Sequence, residues 1–472
     1  MKRPRTLGEL KASGWPETHG HRSVRDEARA NLKAKLRTGA PLFRGVYGYE
    51  ETVIPALVRA VLARQHFILL GLRGQAKTRI LRGLTSLLDP ELPALDTPLH
   101  DHPLAPVSPE GRRLLEEAGD DTPLVWLTPE DRYVEKLATP DVTVADLIGE
   151  LDPIKAARRG EGLSDLEAVH YGLVPRANRG IFAINELADL PARVQVALFN
   201  VLEEGDVQVR GFPLRLPLDV WLVFSANPED YTARGRIVTP LKDRIDAEIR
   251  THYPRTLEDG LVITRAEARL PEGVRIPEFV ARAVERVAFL ARRDPRVDPA
   301  SGVSQRLPIA LLEQVAAGAE ARALTLGETT PTARPRDVYG GLAAITGKLE
   351  LEYEGELVGA EALARELIAR AFAEEWGGRP GLEAVTAGFE DGRVLELPDE
   401  AAAAWERVAA VEPLAELARP GGGEDVQERV AWAEFALEAL VGRGELVRLE
   451  AGSGYRKAAP APAEGGRETL PP

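Results

Sequence analysis

His66-Phe67-Ile68-Leu69-Leu70 runs straight into Gly71-Leu72-Arg73-Gly74-Gln75-Ala76-Lys77-Thr78. The apolar run stops at a glycine, as a strand buried on both faces does. Residues 77–88 then carry a helical pattern. Strand, glycine-rich turn and a helix opening on Lys-Thr make up a phosphate loop. Glycines let backbone N–H groups turn inward on phosphates, and the helix N-terminus adds positive potential. The candidate nucleotide ligands are therefore Gly71, Gly74, Gln75, Ala76, Lys77 and Thr78. Lys77 is expected to reach the β- and γ-phosphates of ATP, and Thr78 to place its hydroxyl on Mg²⁺. One position departs from the pattern, since Ala76 stands where glycine is usual. The bland alternative is a strand–turn–helix junction with a solvated lysine.

Two more apolar runs end in polar residues. Gly180-Ile181-Phe182-Ala183-Ile184 leads into Asn185-Glu186, and Val220-Trp221-Leu222-Val223-Phe224 leads into Ser225-Ala226-Asn227. In phosphate-loop ATPases the first of these ends carries an acid for Mg²⁺ and then a glutamate that polarises the attacking water. Glu186 fits the second role. Asn185 departs from the usual Asp, because its amide oxygen can hold a metal-bound water without adding charge. Asn227 is the candidate that orients the water or touches the γ-phosphate. Strands separated by helices predict a parallel sheet with helices on its faces.

Bulk properties narrow the field. The chain has 472 residues, more than one core accommodates. Lys and Arg number 60 against 74 Asp and Glu, a net charge of −14, which argues against a dedicated nucleic-acid binder. The absence of cysteine excludes disulfides, thiolate metal sites and cysteine nucleophiles. No secretory leader or membrane-length apolar run is visible, so the expected compartment is the cytoplasm.

Outside the three strands the pattern is coarser. Residues 1–40 read as an arm with a short helix from Val24 to Leu36 rather than as core. Residues 50–64 and Pro191–Glu204 read as helices, 89–125 as loop with a short helix, and Val207–Pro217 as a hairpin turning near Gly211. Residues 276–348 are helical, as are 358–376 and 426–441. Phe389–Val394 reads as a hairpin turn, and 445–455 as a hairpin around Gly452-Ser453-Gly454. Residues 457–472 are of low complexity. His100-Asp101-His102 resembles a metal-ligand pair but is read as an exposed loop, for want of a third ligand. Trp376, Trp405 and Trp432 read as core.

At this point the sequence resembles the AAA+ superfamily, and within it the MoxR/magnesium-chelatase group. The resemblance covers about residues 40–350. Val46-Tyr47-Gly48-Tyr49-Glu50 is similar to the group's adenine-side element, which implies that Tyr47 and Gly48 line the base. The loop ending Ala76-Lys77-Thr78 is similar to the MoxR form. Asp146-Leu147-Ile148-Gly149-Glu150-Leu151-Asp152, Tyr171–Val174, Asn178-Arg179-Gly180 and Leu202–Gly205 match further segments. Pro240-Leu241-Lys242-Asp243-Arg244 is similar to the run carrying the arginine finger, which implies that Arg244 reaches a neighbouring subunit's ATP. Arg234 and Arg236 are nearby alternatives. Gly302–Arg306 resembles the sensor-two segment, which implies that Arg306 contacts the γ-phosphate.

The resemblance implies an α/β fold, with an AAA+ phosphate-loop parallel sheet flanked by helices, a helical lid and a mixed α/β C-terminal extension. The expected division is an arm at 1–40, the nucleotide-binding domain at 41–255, a lid at 256–350, an extension at 351–456 and a tail at 457–472. It implies ATP hydrolysis with Mg²⁺ at the subunit interfaces of a homo-oligomeric, hexameric ring. Such a ring would act as a chaperone-like remodeller, with a von Willebrand A domain protein as a partner. Competing functions are the ATPase subunit of a magnesium or cobalt chelatase and a nucleotide-gated scaffold that hydrolyses slowly. A sigma-factor-remodelling activator is disfavoured, because no Gly-Ala-Phe-Thr-Gly-Ala-like loop is present.

Overall fold

The three apolar runs form the middle of a parallel sheet because each is buried on both faces. The computed structural model describes residues 3–20, 22–151, 169–208, 215–228, 236–389, 392–449 and 454–459. It divides into two units, residues 1–252 and 253–472.

In the first unit the strands are Phe67–Leu70 (β1), Tyr133–Leu137 (β2), Gly180–Asn185 (β3), Val220–Ala226 (β4) and Ala247–Arg250 (β5). They run parallel in the order β5-β1-β4-β3-β2. Alternate side chains feed two cores. Phe67, Leu69, Ile181, Ala183, Trp221 and Val223 face one, and Ile68, Leu70, Phe182, Ile184, Leu222 and Phe224 the other. β4 lies between β1 and β3, so the glycine-rich loop after β1 and the two polar strand ends come together at one edge of the sheet. β2 and β5 were not foreseen. They flank the sheet and mix Glu, Lys or Arg among their apolar residues.

Several local expectations need correction. The Val24–Thr38 helix is part of the core, with Val24, Ala28 and Leu32 buried. Its Glu27 forms a bidentate pair with Arg132, both oxygens 2.7 Å from guanidinium nitrogens. The two side chains are 3% and 1% exposed. Truncating one member strands the other charge in the interior. Glu27→Ala should therefore lower unfolding free energy by about 3 kcal/mol, read from urea denaturation. The doubly apolar Glu27→Leu/Arg132→Met should lose markedly less.

The Pro191–Glu204 stretch is two helices, Ala192–Val196 and Phe199–Glu203. Residues 89–125 contribute two short strands, Leu92–Ala94 paired with Val125–Leu127, and a helix, Pro109–Ala118. The His100-Asp101-His102 loop is not exposed at its centre. Asp101 is fully buried and accepts hydrogen bonds from Thr97 Oγ1, Val107 N, Ser108 N and Ser108 Oγ. Asp101 thus organises the loop. No cluster of three or more potential His, Asp or Glu metal ligands exists among the described residues. Asp206–Gln208 pairs antiparallel with Arg215–Pro217 as the expected hairpin. Gly211, Asp152 and Arg234 lie outside the described residues.

The second unit is mainly helical. Its longest helices are Glu278–Ala291, Arg306–Leu326, Ala360–Trp376 and Val426–Gly442. Val394–Glu396 pairs with Gly454–Lys457, which pairs with Leu446–Arg448, in a small antiparallel sheet. The turn expected at Phe389–Val394 lies partly outside the described residues, and the strand that follows it pairs with the distant Gly454–Lys457. Glu390, Asp391, Gly452 and Ser453 fall outside the described residues, as do 460–472. One buried cluster runs from Leu261 to Tyr455 through Val284, Val315, Leu367 and Phe435. Trp376 belongs to it, with Trp405 and Trp432 packed against it. No helix among the described residues is long and apolar enough to cross a membrane.

Candidate functional site

The loop after β1 is shaped by its backbone. Gly74 and Ala76 both have positive φ, 72° and 56°. Ala76 caps the Lys77–Gly83 helix in the left-handed conformation, which costs an L-residue about 1–2 kcal/mol. That cost is the physical reason for glycine at this position in the usual pattern. Gly71 has no room for a side chain, because a Cβ there would lie 1.9 Å from Thr251 Oγ1 and 2.2 Å from Gln75 Oε1. Those two side chains bond each other at 2.7 Å and brace the loop against the end of β5. Tyr49 braces it from the other side, donating to the carbonyls of Gln75 (3.0 Å) or His252 (2.7 Å).

The sheet edge brings six predicted residues into a network of two neighbouring hydrogen-bonded groups. Lys77 Nζ donates to the carbonyls of Gly71 and Leu72 and to Asn227 Oδ1, the last at 2.6 Å. Thr78 Oγ1 lies 3.5 Å from Asn185 Oδ1. Ser225 Oγ donates to the same Oδ1 at 2.9 Å. Glu186 N donates weakly to Ser225 Oγ at 3.4 Å. Glu186 is half-buried, with a left-handed φ of 55°. A strained non-glycine residue at a strand end is the kind of outlier that concentrates at functional sites.

The oxygen donors present suit a small hard cation. Thr78 offers a hydroxyl and Asn185 an amide oxygen, both ordinary Mg²⁺ ligands directly or through water. Beside them, Asn185 Nδ2 donates to Glu135 Oε1 on β2. Glu135 Oε2 accepts from Arg82 Nε at 2.7 Å. That hydrogen bond and the carboxylate charge hold the Arg82 guanidinium more firmly protonated.

Other predicted residues lie apart from this network. Tyr47 is exposed, and Gly48 makes a positive-φ turn at 75° before the buried Tyr49. Arg244 ends the Thr239–Arg244 helix, which the buried Leu241 and Ile245 seat. Its Nε lies 3.0 Å from Glu203 Oε1, without hydrogen-bond alignment. Its guanidinium also stands 4.6 Å over the Phe199 ring. Arg236 is exposed. Arg306 belongs to the second unit and is the first residue of its 21-residue helix, with its side chain exposed. A cation there opposes the helix dipole, so local stability does not explain it. The preceding Gln305 is buried and bonded to Arg292 and Glu285 at 2.8 Å each.

Sequence reasoning missed Tyr49, Thr251, Ser225 and Glu135. Tyr49 and Ser225 each lay inside a quoted stretch without being singled out. Thr251 and Glu135 follow or occupy the flanking strands, where no apolar run marks the chain.

Residues 163–247 match the family model of the Sigma-54 interaction domain. The chain is similar to the magnesium-chelatase 38 kDa subunit of Rhodobacter capsulatus, at 29% identity over 241 residues, covering 49% of this chain and 61% of that protein. It is also similar to the magnesium-chelatase subunit ChlI of Guillardia theta, at 29% over 244 residues, covering 50% and 64%. A structure of the complex between the magnesium-chelatase subunits BchI and BchD aligns at a TM-score of 0.35 and 22% identity, over 67% of this chain and 98% of that one. The chain spans less than two thirds of the length of these curated relatives.

Proposed function

We propose that this chain, whose first unit is an AAA+ module related to the magnesium-chelatase subunits, binds and hydrolyses ATP and works as a MoxR-like ring ATPase that remodels or activates a partner. The observation carrying this reading is the joining of Lys77, Asn227, Thr78 and Asn185 at adjacent strand ends. Lys77 has folded back onto loop carbonyls and Asn227, positions from which a flexible ammonium turns to phosphate. Thr78 and Asn185 would hold Mg²⁺, which supplies charge neutralisation on the transferring phosphate. Glu186 orients and deprotonates the attacking water, and Asn227 fixes its position. Arg244 serves the neighbouring subunit's nucleotide, and Arg306 ties residues 256–350, acting as a lid, to nucleotide state. Tyr47 and Gly48 border the base. A cytoplasmic hexamer with a von Willebrand A domain partner completes the reading.

Similarity to the 38 kDa subunit favours a second reading, the ATPase subunit of a chelatase that inserts a divalent metal into a tetrapyrrole. Stimulation of turnover by a porphyrin-handling partner distinguishes it from the remodeller.

The test is nucleotide binding and turnover by the full chain. Lys77→Ala should weaken ATP binding about 100-fold, the size of a lost charge-assisted contact of roughly 3 kcal/mol, measured by calorimetry. Wild-type protein that binds ATP and never turns it over would instead establish the scaffold. Undiminished binding in Lys77→Ala would remove Gly71–Thr78 as the phosphate site.

A further inference from the structure

We infer that Glu135 is the positioning residue of the magnesium site, turning the Asn185 amide oxygen toward the cation from the neighbouring strand. This rests on the ATP-binding reading above. An amide has two faces of similar shape and opposite chemistry, so which one meets the metal depends on its neighbours. Ser225 and Thr78 are hydroxyls and accommodate either face. A carboxylate only accepts, and Glu135 therefore takes the NH₂. Oδ1 is left pointing to Ser225 and Thr78, the side where the cation would sit. Arg82 occupies the other carboxylate oxygen from the solvent side, which keeps Oε1 on the amide.

Strand register makes the arrangement possible. β2 pairs with β3 so that Glu135 stands beside Ala183 and Leu137 beside Asn185. Glu135 is thus one pleat back from the strand end, on the same face as Asn185. A negative charge there polarises the amide and makes its oxygen a better donor to a cation. The usual carboxylate has been displaced by one shell, from the ligand to the group behind it. Such outer-shell partners commonly tune metal affinity by 10–100-fold.

The test uses the full chain with a non-hydrolysable ATP analogue and Mn²⁺ in place of Mg²⁺, with bound Mn²⁺ read by electron paramagnetic resonance. Glu135→Ala should weaken Mn²⁺ binding about tenfold. Metal-free nucleotide affinity, measured in EDTA, should stay unchanged and reports that the site is folded. Glu135→Gln should fall between, because its amide oxygen still accepts from Asn185 without the charge. Asn185→Asp is the sharper probe. In the Glu135→Gln background it should restore wild-type affinity. Alone it sets two carboxylates against each other and should not raise Mn²⁺ affinity above wild type. Mn²⁺ binding unaffected in Glu135→Ala, or equally strengthened by Asn185→Asp in both backgrounds, overturns the inference. If wild-type protein binds no nucleotide at all, the ATP reading falls and this one with it.

Discussion

Arg244→Ala should reduce ATP turnover about 1,000-fold while leaving ATP affinity within a factor of two or three, the profile of a group that acts only on the transition state. Within its own chain Arg244 donates from Nη1 to the Pro240 carbonyl at 2.8 Å, pairs with Glu203 and stacks on Phe199, contacts that a subunit interface would have to replace. Its partner Glu203 is half-exposed, and an ion pair of that kind is worth roughly 0–1 kcal/mol. The Phe199 ring, 4.6 Å from the guanidinium, supplies a flat apolar shelf for it. The helix carrying it is anchored by the buried Leu241 and Ile245. If Arg244 acts on a neighbouring subunit's nucleotide, turnover per subunit should rise with protein concentration. Turnover independent of concentration, or unaltered in Arg244→Ala, would show that the helix end is ordinary surface. Glu203→Ala serves as the control and should change turnover little.

The parts of this molecule that were legible are those where physics writes a one-dimensional signal. β1, β3 and β4 are buried on both faces and therefore read as unbroken apolar runs, β1 ending at a glycine-rich loop and β3 and β4 in polar residues that point to chemistry. β2 and β5 were opaque because an edge position leaves room for Glu135, Lys136, Glu248 and Arg250 among apolar neighbours. Contacts made across long separations were equally silent. Nothing local pairs Glu27 with Arg132, or directs the Tyr49 hydroxyl to loop carbonyls more than two dozen residues away. Pro191–Glu204 has no helix breaker between its two halves, so its division is invisible in composition. Ala76 shows the opposite case. Its departure from glycine was visible, and the positive φ of 56° supplies the reason why glycine is usual there.

Glu186→Gln should cut turnover about 1,000-fold and leave ATP bound, because an amide of the same shape loses only the ability to take a proton from water. Removing a base contributes about 10²–10⁴-fold in such steps. Glu186 has the position for the role, at the end of β3 with its backbone held against Ser225 and the neighbouring Asn185 turned toward Thr78. Its left-handed backbone adds a further point. Strain at a residue that could relax to an ordinary strand end persists only where the surroundings demand that orientation. Mixing the two inactive variants then separates a shared site from a private one. In a randomly mixed ring about a quarter of the interfaces pair an intact Glu186 with an intact Arg244 from the other variant. Equimolar Glu186→Gln and Arg244→Ala should therefore recover roughly that fraction of wild-type turnover, though neither works alone. A mixture as inactive as its components would mean that Glu186 and Arg244 do not meet across subunits, and the ring mechanism would have to be given up in favour of sites complete within one chain.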